Sequence, residues 1–116
     1  MNAFAFVDLL EPGEPITVLA RISFLSSENG GRSSPITKHY RPNHNFGSAQ
    51  DSRFYIGQLE IPENTPFCPG ESHDLHVKFL NGPGLSELLV EGRTWRIQEG
   101  SKLVAMAQVL RRQGEA

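Results

Sequence analysis

From Ile16 onward, apolar and polar side chains alternate. Ile16, Val18, Ala20, Ile22 and Phe24 share one parity, with Thr17, Leu19, Arg21, Ser23 and Leu25 on the other. A period of two sends one set to a buried sheet face and the other outward, so this stretch predicts a strand. Turn formers then interrupt it, and residues 26–34 (SSENGGRSS) read as a loop in which Asn29-Gly30 is a tight-turn pair and Gly30 and Gly31 accept positive φ. ITKHYRPNHNFG is less regular. Pro42 has no N–H for a central ladder, so a short strand is expected to end or bend near Tyr40.

Residues 53–61 (RFYIGQLEI) change phase. Phe54 and Ile56 share one parity and Leu59 and Ile61 the other, which predicts a bulge or bend at Gly57 between them. In HDLHVKFL, Leu75, Val77 and Phe79 face one way, opposite His76 and Lys78. NGPGLSEL (81–88) reads as a loop with one helical turn. In LVEGRTWRIQ, Trp95 and Ile97 oppose Thr94, Arg96 and Gln98. KLVAMAQVL is apolar on both parities, as for a strand covered on both sides, and RRQGEA reads as a solvated tail. No segment sustains a 3.6-residue period, so about six turn-linked strands of a small barrel or sandwich are expected.

The chain's 116 residues suffice for one domain core. The segmentation is an N-terminal extension or edge strand over 1–15, a barrel domain over 16–111 and a tail over 112–116. Eleven Gly and eight Pro fit a turn-rich β fold. The run AFAFVDLL (3–10) lacks a basic flank and carries Asp8, so it is read as a strand rather than a signal peptide. No run approaches the ~20 apolar residues of a membrane span. The single cysteine, Cys68, excludes an internal disulfide, and with the absent span it leads to a cytoplasmic expectation. A formal charge of −2 argues against bulk electrostatic capture of nucleic acid.

Catalytic signatures are missing. There is no phosphate-binding G-x-x-x-x-G-K-[ST] loop and no G-x-S-x-G elbow. His73 and His76 would fall on opposite faces of a strand, which spoils joint metal ligation. His39, His44, His73 and His76 are all expected at the surface or in loops, and Cys68 as a small buried hydrophobe. The carboxylates are scattered. The expectation is therefore a protein that is not an enzyme, with no cofactor, metal or bound nucleotide, and with neither DNA nor a membrane as partner. Arg32, Lys38, His39, Tyr40, Arg41, Asn43 and His44 cluster within thirteen positions. Such a cluster either meets an acidic protein face or phosphate oxygens, or is a solvated loop whose arginines pair with nearby carboxylates.

Three ordered motifs carry a resemblance: LSSENGGRSSPITKHYRPNHNF, with Gly30-Gly31-Arg32, Pro35 and Tyr40-Arg41-Pro42; IGQLEIPENTPFCPGE, with Gly57, Leu59, Glu60, Pro62, Glu63, Pro69 and Gly70; and WRIQEGSKLVAMAQVL, with Ile97, Glu99, Gly100 and Val104. In this order they resemble the third, C-terminal domain of elongation factor Tu, over residues 16–111. The resemblance implies an all-β, six-stranded antiparallel Greek-key barrel that does no chemistry. It also implies surfaces for a protein partner or a tRNA stem. The family's RNA-contact positions fall on Ser33, Asn43, Ile56, Asn81 and Gly100, of which Gly100 keeps the family residue and Asn43 a shortened amide. The shared motifs have a structural alternative: glycines for positive φ, an Arg stacked on the Tyr, and a Pro ending a strand. The expected function is a binding module for a protein partner, linked to translation, with RNA binding as the alternative. The candidate contacts are Arg32, Ser33, Lys38, Tyr40, Arg41, Asn43 and Gly100.

Overall fold

In the computed structural model, residues 15–51 and 53–113 are described. Strand β1 (Ile16–Phe24) buries Val18, Ala20, Ile22 and Phe24 and turns Arg21 and Ser23 outward, as its period of two requires. β2 spans Asn43–Asn45, β3 Tyr55–Leu59, β4 Ser72–Phe79, β5 Thr94–Glu99 and β6 Lys102–Arg112. One helical turn, α1 (Leu85–Leu88), lies between β4 and β5. All pairings are antiparallel, in the order β1-β4-β3-β2-β5-β6, and β6 returns to β1 to close a barrel. Strands β2, β3 and β4 are sequential neighbours, and β1 reaches β4's free side through the long connection 25–42. That is a Greek key.

Two aromatic clusters fill the barrel. Near the end of β1, Phe24 meets Phe67 edge-on at 4.6 Å, and Ile36 bridges to Phe67 through paired backbone bonds. Toward the other end, Phe46 stacks on Trp95 at 5.1 Å, Phe79 lies 5.8 Å from Trp95, and Leu85 and Leu89 are fully buried. Aliphatic side chains from every strand but β2, among them Val18, Ile22, Leu59, Val77, Ile97 and Val104, complete the core, and this apolar burial is the main term holding so small a barrel closed.

Several expectations change. No strand ends near Tyr40. Residues 36–42 are irregular apart from the Ile36 bridge, and β2 begins only after Pro42, whose missing N–H cannot enter a ladder. Gly57 is not a bulge. It pairs in register with Phe79, and the register shifts fall instead at Leu19/Ala20 and Ile97/Gln98. Gln98 keeps its expected outward parity, opposite Asn43, yet is only 1% exposed, because Asn45 and Arg96 both donate to its Oε1 and cover it. β6 is not covered on both sides, because Met106 is exposed. β6 also runs into the expected tail: Arg112 pairs with Val18, and Gln113 N–H donates to Thr17 O at 2.9 Å. The expectation for residues 1–14 lies outside the described residues.

Candidate functional site

Much of the basic connection between β1 and β2 is spent inside the fold. The Arg32 guanidinium sits over the Tyr40 ring, 5.3 Å from its centroid, and its Nη1 pairs with Glu99 Oε2. The Tyr40 hydroxyl donates to the same carboxylate oxygen at 2.5 Å. Partial burial alone would raise the Glu99 carboxyl, but the Tyr40 hydroxyl and the Arg32 charge outweigh it and hold the group below the usual range. Burial, then the bond to Glu99, pushes the Tyr40 hydroxyl well above its ordinary value. His39, at φ 71°, turns the chain so that Tyr40 packs on the core. Lys38 is exposed and pairs with Glu63 at 2.5 Å. Arg32 and Tyr40 thus form a clasp between the β1–β2 connection and the β5–β6 turn, and Lys38 ties that connection to the segment after β3. Ser33 is exposed beside this clasp.

His44 is not a surface histidine. It is fully buried among Phe79, Trp95 and Gly57. Trp95 Nε1–H donates to His44 Nδ1 at 3.0 Å, so the proton sits on Nε2, which donates to Gly57 O at 3.0 Å. Burial lowers its pKa to about 4, against the Gly57 hydrogen bond. Gly57 is required here, since a Cβ would stand 2.9 Å from His44 Nε2. Sealed and fully bonded, this imidazole meets no substrate. Asn45 and Gln98 are also buried and bonded to each other at 2.9 Å. Cys68, expected to be buried, is half-buried.

A different surface stands open. Ile56 on β3 is 57% exposed and Leu80, just past β4, is 51% exposed. Leu80 N–H donates to Ile56 O at 2.9 Å, so the two are locked side by side. They divide two hollows. One, of about 320 Å³, is lined by Pro15, Arg41, Gln58, Glu60 and Lys78. The other, of about 370 Å³, is lined by Arg53, Phe54, Tyr55, Asn81, Gly82 and Pro83. Asn43 is Ile56's cross-strand partner and also pairs with Gln98, whose side-chain amide donates to Gly100 O at 3.1 Å. Gly100 holds φ 61° in the β5–β6 turn. A strip therefore runs from Asn81 through Leu80, Ile56 and Asn43 to Gly100. It gathers four of the five positions that the resemblance indicated, and leaves Ser33 apart.

Arg41 donates to the neutral Gln58 Oε1 at 3.0 Å. Among the described residues, Arg41, Arg53 and Lys78 form no ion pair. Sequence reasoning missed Leu80, Arg53 and Lys78 as site residues. The available signal was parity: Ile56 and Leu80 sit one step off the inward positions 57 and 79 and so must face out.

No known protein-family model matches the chain. Among the described residues, no group of three or more His, Cys, Asp or Glu is placed to hold a metal ion. No helix there is long and apolar enough to cross a membrane.

Proposed function

We propose that this chain is a non-catalytic binding module that takes a protein partner on the Ile56–Leu80 surface. The observation carrying this reading is the pair of large aliphatic side chains held out of the barrel between two hollows. Exposing them wastes the stabilisation that burial supplies, roughly 1.5–3 kcal/mol for a fully buried side chain of this size. A partner that covers them recovers it. The resemblance to the third domain of elongation factor Tu agrees with this, since that domain works by docking, and it extends the proposal to a role in translation. The clasp residues Arg32 and Tyr40 then shape the barrel, while Arg41, Asn43 and Gly100 flank the contact.

RNA is the second reading, favoured by Arg41, Arg53 and Lys78, which line the two hollows and form no ion pair among the described residues. A photo-crosslinking residue at position 56, used in the native host, separates the two. Protein adducts that disappear with Leu80→Asp, and that do not form from position 76, support the proposal. Adducts to tRNA overturn it. Adducts that survive Leu80→Asp overturn the assignment of the surface.

A further inference from the structure

Pro15, where the described chain begins, lines the hollow beside Arg41 and Lys78. The preceding residues read MNAFAFVDLLEPGE. They combine Phe4, Phe6, Val7, Leu9 and Leu10 with the carboxylates Asp8, Glu11 and Glu14, and contain no Lys or Arg. The groove offers the complement: an aliphatic ridge, Ile56 and Leu80, with Phe54 and Pro83 beside it, and three cations, Arg41, Arg53 and Lys78, against the single carboxylate Glu60. The tether is short. Leu10 lies five residues before Pro15, at most about 17 Å of extended chain.

We propose that residues 3–10 bind the Ile56–Leu80 groove of their own molecule and so compete with its partner. Geometry makes even weak affinity sufficient. A segment tethered this closely acts at an effective concentration on the order of millimolar, so an intrinsic Kd of about 0.1 mM fills the groove in roughly nine molecules of ten. A partner would then bind about tenfold more weakly than to an open groove. The competition rests on the binding-module reading above; occupancy of the groove by the segment does not.

The test uses the full chain with Phe6→p-benzoylphenylalanine, irradiated as purified protein and mapped by mass spectrometry. Adducts within one molecule at Phe54, Ile56, Leu80 or Pro83 are expected. Adding Arg41→Glu with Lys78→Glu should weaken docking roughly thirtyfold, the upper end for losing two exposed ion pairs, and from nine-tenths filling that cuts the adduct yield roughly threefold to fivefold. Adducts scattered over the barrel, adducts joining two copies, or a yield indifferent to the charge reversal would overturn the proposal. Groove adducts from position 6 without any cellular protein adduct from position 56 would keep the self-docking and remove the partner reading. The reverse pair of results would do the opposite.

Discussion

Both ring nitrogens of His44 are committed inside the barrel, one accepting from Trp95 and one donating to Gly57. Protonating the ring would turn Nδ1 into a second donor facing the indole N–H, at a side chain that is fully buried. The folded pKa of about 4 lies below the ordinary 6.5, so the unfolded chain binds the proton more readily. Stability is therefore complete above pH 6.5 and drains away as the pH falls toward 4, by about 3 kcal/mol in all. Urea unfolding followed between those limits should show the decline, and His44→Gln should flatten it. A wild-type curve as flat as the variant's would refute the assignment. Gly57→Ala tests the same contact sterically. Its Cβ would press on His44 and, at 3.0 Å, on Phe79 Cδ1. The cost should be roughly 1–3 kcal/mol in urea midpoints, and smaller in a His44→Ala background.

At the scale of elements, the Arg32–Tyr40–Glu99 clasp joins the irregular crossover to the β5–β6 turn. Tyr40→Phe keeps the ring under Arg32 but removes the hydroxyl that bonds Glu99. It should cost about 1 kcal/mol near neutral pH. Because Glu99's folded pKa lies below its ordinary 4.5, the clasp's contribution is present above that value and lost as the pH falls through the folded one. The difference between wild type and Tyr40→Phe should accordingly shrink in acid. A difference that grows in acid would show that Glu99 is not the partner that matters. The elements that were readable in sequence are those where one parity is apolar throughout, as in β1, or over its last three positions, Leu75, Val77 and Phe79, as in β4, because burial on one face alone sets their pattern. β2 escaped notice because its inward His44 is polar by type and is satisfied only by Trp95 and Gly57, which arrive from distant sequence. Gly57 looked like a bulge for a related reason: its missing side chain, filled by His44 and Phe79, reads as a gap in the period. The buried Gln98 is covered on the outer face by Asn45 and Arg96, and Asn45 reaches it only across the β2–β5 ladder, so its polar type gives no sign of burial. Of the candidate site, Asn43, Arg41 and Gly100 flank the open surface, whereas Arg32 and Tyr40 turn inward, since only the folded chain brings Glu99 to them.

For the whole molecule, the charge balance and the exposed apolar pair make opposite demands on a ligand. The formal charge of −2 repels a polyanion at long range, while Arg41, Arg53 and Lys78 attract one at close quarters. Salt separates these contributions, because counterion release on binding a nucleic acid steepens with every phosphate neutralised. Three cations engaging a duplex stem would give a slope near −3 in a plot of log K against log salt. A protein docked mainly on Ile56 and Leu80 should show a slope nearer −1, since a few exposed ion pairs contribute little beside the apolar contact. The variants sharpen the contrast. Ile56→Asp should abolish binding of the protein partner yet leave the unfolding midpoint nearly unchanged, because this side chain is already exposed in the free barrel. Arg41→Gln should flatten the salt slope more than it weakens binding at high salt. If instead the complex dissolves steeply with salt and tolerates Ile56→Asp, the cations rather than the aliphatic pair define the ligand, and the strip through Asn43 to Gly100 follows a phosphate backbone.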